Sequence, residues 1–326
     1  MSTRQGANKQ EKMKKLSISI ILLAVALSAK SQDSQTEYNF LRLPVSAHGA
    51  ALGGDNISLI EDDASLIFAN PALLSSVSDK TIGLNYMNYM SGANMANVSF
   101  NRNVKERASW AVSGMYIDYG SMRQTDENNV QYGKFSAKEI SMAGYFSYFL
   151  TDRIAGGITA KFATSYIGGY NSIGIGVDLG INYYDPDLDL SLSAVAKNLG
   201  GQIKALDEEY GKMPIDLQVG VSKGFEHMPF RVSATLVDLN HWDYSFIDHM
   251  VLGVDILLSQ TIWVGGGYNF RRAKEMGIDS GDGKASHGAG LSFGAGINLE
   301  RFKINLAYGK YHVSSSSIIV NAAYCL

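Results

Sequence analysis

The stretch Ile173-Gly174-Ile175-Gly176-Val177-Asp178-Leu179-Gly180-Ile181-Asn182-Tyr183 has a large apolar side chain at every odd position and a small or polar one at every even position. A period of two belongs to a β-strand whose two faces meet different surroundings, one oily and one wet. A single strand of this kind can pack against a second sheet or a helix in water. A chain built almost wholly of such strands, with no amphipathic helices to cover them, needs lipid against its oily side.

Working outward, the alternation recurs along nearly the whole chain after Lys80. Before the quoted stretch, the apolar faces are Ile82/Leu84/Tyr86, Ala96/Val98/Phe100, Trp110/Val112/Tyr116, Ile140/Met142/Phe146/Tyr148 and Ile154/Ile158/Phe162/Tyr166. After it come faces beginning at Leu188, Ile215, Phe230, Leu252, Ile262, Leu291, Phe302 and Ile318. That makes fourteen strands, an even number of segments close to the length a tilted membrane-spanning strand needs. The connections alternate as well. Those at residues 104–106, 151–152 and 184–187 are short, whereas 120–137, 200–213 and 272–284 are long. Short periplasmic turns and long outer loops are the asymmetry of an outer-membrane barrel.

The expected fold is therefore all-β: a 14-stranded antiparallel transmembrane β-barrel over residues 80–326, with an N-terminal hatch or plug at residues 32–79. A ring of fourteen strands is too wide for its own side chains to fill, which gives the plug a mechanical purpose. Aromatic residues near strand ends (Tyr86, Tyr89, Trp110, Tyr116, Tyr119, Tyr183, Tyr184, Trp242, Tyr244, Tyr308 and Tyr311) are expected to form two girdles at the headgroups.

Residues 1–31 read as a secretory signal. Lys14 and Lys15 precede an apolar run from Leu16 to Leu27, followed by small residues, and Met13 is the better start. Cleavage near Ser31 leaves Gln32 at or near the mature N-terminus, with 22 basic against 30 acidic residues, a balance of −8. Such a balance argues against a nucleic-acid partner. Both termini are expected on the periplasmic side of the outer membrane. The single Cys325 excludes an intramolecular disulfide.

Signals for chemistry are sparse. Gly174-x-Gly176-x-x-x-Gly180 and Gly288-x-Gly290-x-x-x-Gly294 miss the dinucleotide spacing and put their glycines on one strand face. Asp279-Ser280-Gly281-Asp282-Gly283 lacks the downstream Glu of a calcium loop, and the six His residues show no metal-ligand spacing. Ser286 and His287 adjoin at a strand start, where neighbours point to opposite faces and pair poorly. No enzymatic role, cofactor or metal is expected. In the plug region, Asn70-Pro71 is a helix start: Asn accepts from orphan N–H groups, and Pro is preformed for the first turn.

Three runs carry a resemblance: Ala50-Ala51-Leu52-Gly53-Gly54, Asp62-Asp63-Ala64-Ser65 and Asn70-Pro71-Ala72-Leu73-Leu74. They resemble the N-terminal hatch of the FadL-like outer-membrane barrels. With residues 38–44 upstream and 84–90 downstream, the segment is most similar to the PorV/PorQ branch of that family. The chain departs from that branch at His48, which stands where an Arg is expected, and in ending Tyr324-Cys325-Leu326 rather than on an aromatic residue.

The resemblance marks Asp62, Asp63, Asn70, Pro71 and Ala72 as hatch residues. It implies an outer-membrane component of the type IX secretion system of Bacteroidetes-type bacteria. Its expected role is to hold a PorZ-like surface protein in the attachment complex containing PorU and PorV, with outer-membrane lipid around the barrel. Candidate partner-binding residues on the long loops are Asp126 and Glu127, then Asp207, Glu208 and Tyr210, then Arg272 and Lys274. The alternative is a FadL-like transporter of hydrophobic small molecules, using the hatch as a gate and a lateral opening in the wall.

Overall fold

The computed structural model describes residues 36–326 apart from 91, 129, 208, 226–227, 277, 280–283, 286–287 and 313–314. The expected signal segment, Gln32, Glu208, the centre of the calcium-like loop, Ser286 and His287 thus lie outside the described residues.

The strands are β1 (Thr81–Asn88), β2 (Asn94–Val104), β3 (Ala108–Thr125), β4 (Gln131–Phe149), β5 (Ile154–Ile167), β6 (Tyr170–Asp185) and β7 (Leu190–Lys204), then β8 (Asp216–Phe225), β9 (Met228–Leu236), β10 (Met250–Leu257) and β11 (Ile262–Asn269). A two-residue pair, β12 (Ile278–Asp279) and β13 (Lys284–Ala285), makes a separate ribbon. The series ends with β14 (Leu291–Asn298), β15 (Phe302–His312) and β16 (Ser315–Cys325). All strands but β12 and β13 form one closed antiparallel ring of fourteen, sealed by β1 against β16 from Thr81↔Cys325 to Asn88↔Ile318. Each of the fourteen strands read from the sequence has its counterpart in this ring.

Strand parity sets the radial order. On β1, Leu84 is 56% exposed and its neighbour Asn85 only 5%; on β4, Met142 is 62% exposed and Ser141 6%. The outer surface is a belt of Leu, Ile, Val and aromatic side chains, and the inner face carries Asn, Ser, Thr and buried charges. A polar interior and an apolar exterior suit a barrel whose solvent is lipid. No helix among the described residues is long and apolar enough to cross a membrane.

The same parity corrects the girdles. Tyr86, Trp110, Tyr116 and Tyr308 face outward, but Tyr89, Tyr119 and Tyr311 lie three residues on, at the opposite parity, and pack against the interior. Two long connections also differ from expectation. Residues 120–137 are mostly strand, because β3 runs to Thr125 and β4 begins at Gln131; β7 likewise continues through Lys204. The connection from β11 to β14 starts with the short helix Phe270–Glu275.

Residues 36–80 touch every strand of the ring, which a segment can do only from inside it. Ala64 meets Gly83 on β1 and packs with Ala111 on β3; Val77 accepts from Asn103 on β2; Ala72 accepts from Ser147 on β4. Pro71 and Asn70 press on Gly157 of β5 and Gly180 of β6. Tyr38 bonds Gln202 on β7, Ser58 bonds Ser222 on β8, and Glu61 and His48 bond Arg231 on β9 and Asp255 on β10. His48 stacks on Trp263 of β11. Ala51, Asp63 and Ala47 then contact Ser292, Asn305 and Asn321 on β14, β15 and β16.

The first described residue, Thr36, bridges Lys212 at the long-connection end of the ring, whereas Leu326 bonds Lys80 at the other. The expected placement of both ends of the chain on one side therefore does not extend to Thr36. The inner segment starts at one mouth and leaves through the other into β1.

Candidate functional site

The inner segment is too short to build a core of its own, so it folds as isolated turns that borrow the barrel wall. Ser46 caps the helix Ala47–Ala51 by accepting from Gly49 N. Asp63 caps the 3-10 turn Ala64–Phe68 through Ser65 N. Asn70 caps Pro71–Ser76, accepting from Ala72 N at 2.9 Å while donating to Ile57 O at 3.0 Å. Asn70 and Pro71 thus take the roles their chemistry fits, although the turn is 3-10 and not α.

Its tightest tie to the wall is a buried group of charges. His48 is fully buried, with Nδ1 2.8 Å from Glu61 Oε2 and Nε2 2.9 Å from Asp255 Oδ1. Arg231 bonds both carboxylates, to Glu61 Oε1 at 2.6 Å and to Asp255 Oδ2 at 2.8 Å. The imidazole lies flat on Trp263, with centroids 3.5 Å apart and planes 3° from parallel. Burial pushes the His48 proton off, but the facing carboxylates outweigh it and raise the group to about 9. For Glu61, burial pushes the other way, and His48 with Arg231 brings it down to about 2. With His48 protonated, two cations face two anions and each imidazole N–H has an acceptor, which is what makes such a cluster tolerable in the dark of a protein interior.

Lower in the ring, Asp62 pairs with Lys303 and accepts from Ser78 N at 2.7 Å. Burial raises Asp62, yet the bonds from Lys303 and Ser78 leave it below the usual carboxylate range. Asp63, buried beside Ser65 and Asn305, is pushed up by desolvation.

At the long-connection mouth a cavity of about 460 Å³ opens between the inner segment and the connections from β9 and β11, lined by Arg42, Asp55, Asp238, Arg271, Arg272 and Tyr311 among others. Asp238 holds Arg42 at 2.8 Å and also pairs with Arg271, which bonds Glu275 at 2.6 Å.

The candidate loop residues are scattered around this mouth. Asp126 and Glu127 sit exposed at the tip of the β3–β4 hairpin, and Asp207 and Tyr210 are exposed in the β7–β8 connection. Lys274 is exposed and pairs with Asp248. Arg272 departs from the expected rim charge: it is buried, donating to Ala289 O and Gly290 O and lying 4.5 Å over the Tyr311 ring. Sequence reasoning missed Arg231, Asp255 and Trp263. The available signal was charge at inward parity, since Arg231 and Asp255 interrupt the apolar runs Phe230-Arg231-Val232 and Val254-Asp255-Ile256. No metal-holding group of His, Cys, Asp or Glu occurs among the described residues.

No family model matches the chain, and neither does any curated protein. Solved structures do. The P. putida toluene transporter TodX superposes with a TM-score of 0.59 over 88% of this chain and 99% of its own, at 15% identity. The CymD monoaromatic hydrocarbon channel gives 0.58 over 87% and 97%, at 12% identity. The chain shares their fold. That fold is a closed antiparallel barrel of fourteen strands, and at such low identity the likeness carries architecture alone.

Proposed function

We propose that this chain is an outer-membrane component of the type IX secretion system, a barrel whose inner segment stays in place as a hatch while its outer rim holds a PorZ-like surface protein in the attachment complex with PorU and PorV. The supporting observation is the anchoring of the inner segment to all fourteen strands, several times through buried charge, inside a wall in which each strand pairs with the next from β1 round to β16. A closed wall and a fixed filling leave the rim as the working surface. The hatch motifs support the same reading from the sequence. In this orientation the short turns and Leu326 face the periplasm, and the long connections face outward.

A second reading, a FadL-like conduit for hydrophobic small molecules, is favoured by the solved neighbours and by the cavity at the mouth, which would serve as a vestibule. Purification from native outer membrane separates the two. A large surface protein recovered with the barrel supports rim docking. Bound lipid or hydrocarbon with no such protein, together with uptake of toluene by vesicles containing the pure chain, overturns it in favour of the conduit.

A further inference from the structure

We infer that the free edge of β4, above the β5–β6 turn, is a docking strand for an extended acidic segment of a protein partner. This rests on the rim-docking reading and gives it a site. The β2–β3 ladder ends at Asn94↔Asp118 and the β4–β5 ladder at Ala137↔Ile167, yet β3 and β4 go on pairing from Ser121↔Ser136 to Thr125↔Gln131. Beyond the ring they form a two-stranded ribbon with no neighbouring strand on either side among the described residues. An uncovered edge of this sort offers unpaired N–H and C=O groups to any extended chain.

The geometry on the β5 side is specific. Ser136 O accepts from Gly168 N at 3.0 Å, so residue 136 turns its peptide groups outward on that side. The period of two turns those of Lys134 the same way. Beside the edge lies a groove of about 680 Å³ lined by Lys134, Phe135, Ser136, Ile167, Gly169 and Tyr170. Its floor is bare at Gly169, where an added Cβ would meet nothing within 4 Å, and Tyr170 stands 64% exposed at its side.

Charge selects the occupant. Arg123 and Lys134 face each other directly across the ribbon, a like-charged pair that costs stability. Both are exposed, neither forms an ion pair with a described carboxylate, and the Arg123 side chain reaches only the neutral Gln131 Oε1 at 3.4 Å. A strand added at this edge with a carboxylate opposite Lys134 pairs the backbone and relieves that repulsion at once.

The test uses the full chain in nanodiscs and two synthetic probes, Thr-Glu-Val-Glu-Val-Glu-Thr and its Lys counterpart. The acidic probe is expected to bind and to slow amide exchange at Lys134. Lys134→Pro, which deletes an outward N–H and leaves the β3–β4 ladder intact, and Arg123→Glu with Lys134→Glu should each weaken it about tenfold or more. Equal affinity for the two probes, or for wild type and Lys134→Pro, overturns the inference. So does a lack of binding accompanied by self-association of Lys134→Thr, which would make Lys134 a guard of the edge. A pull-down of the surface partner then separates the two ideas. Equal retention by wild type and Lys134→Pro removes the strand and keeps rim docking, and failure of wild type to retain it removes rim docking while the probes still decide the strand.

Discussion

Raising the pH through 9 should loosen the inner segment from the barrel wall, and the size of the effect follows from His48. Glu61 reaches its ring from the inner segment and Asp255 from β10; Arg231 on β9 ties the two carboxylates together, and Trp263 on β11 covers the ring face. Against the drain of burial, these carboxylates hold the His48 proton to about 9, compared with 6.5 in water. A group raised on binding contributes fully below its free value and nothing above its bound one. The tie is therefore complete at pH 6.5 and disappears as pH climbs past 9. The gap sets a ceiling of about 3 kcal/mol, or about 300-fold in the equilibrium for release, because the share of Glu61 lies within the inner segment itself and only that of Asp255 is made to the wall. On the acid side Glu61, lowered to about 2, contributes fully above about 4.5 and is lost only as pH falls toward 2, so pH 5 to 6.5 is the plateau. The assay is planar-bilayer conductance, because a ring of fourteen strands emptied of its filling leaves an aqueous lumen. Wild type should stay silent on the plateau and open increasingly from pH 7 to 10. His48→Gln should open more at pH 6.5 and lose the alkaline rise. A flat wild-type profile, or an unchanged rise in His48→Gln, refutes the reasoning.

Three other outcomes follow from the packing. A Cβ on Gly157 would lie 2.3 Å from backbone atoms of Pro71 and Ala72, which cannot yield, so Gly157→Ala should cost about 1–3 kcal/mol and expose the 3-10 turn Pro71–Ser76 to protease in an otherwise folded barrel. Asn70→Ala removes both a cap on Ala72 N and the donor to Ile57 O, and should lower stability by about 1–2 kcal/mol, read as a drop in the melting midpoint. Leu84→Arg puts a charge on the lipid face of β1 and should cost about 2–4 kcal/mol when folding into vesicles; an unchanged folding yield would argue against lipid contact there.

The barrel was legible because its signal is local and repeated: each strand announces its outward face through residues such as Ile175, Leu179 and Ile181, and fourteen such faces leave few ways to close. Parity was also enough to see that Tyr86 and Tyr89 cannot share a girdle, a test that counting aromatics near strand ends passes over. The charge cluster was not legible. His48, Glu61, Arg231, Asp255 and Trp263 span 215 positions between the first and last, and only ring closure brings them together. Periodicity reports which side of a strand faces in, never which inward residue on another strand it meets. The β3–β4 arm was hidden for a related reason. Exposed on both faces, Arg123, Gln124, Gly133 and Lys134 carry no apolar alternation, so strand reads as loop.

The passage of the chain from Thr36 at one mouth to Thr81 at the other, with β16 zipped directly onto β1, has a bearing on how the molecule is made. The last strand of the ring stitches its seam onto the first, and the inner segment precedes both in the chain. The machinery that inserts this protein must therefore either close the hoop over cargo that is already seated, or draw a free end through it afterwards. Those two routes leave different half-finished species, one with an open seam and one with an empty hoop.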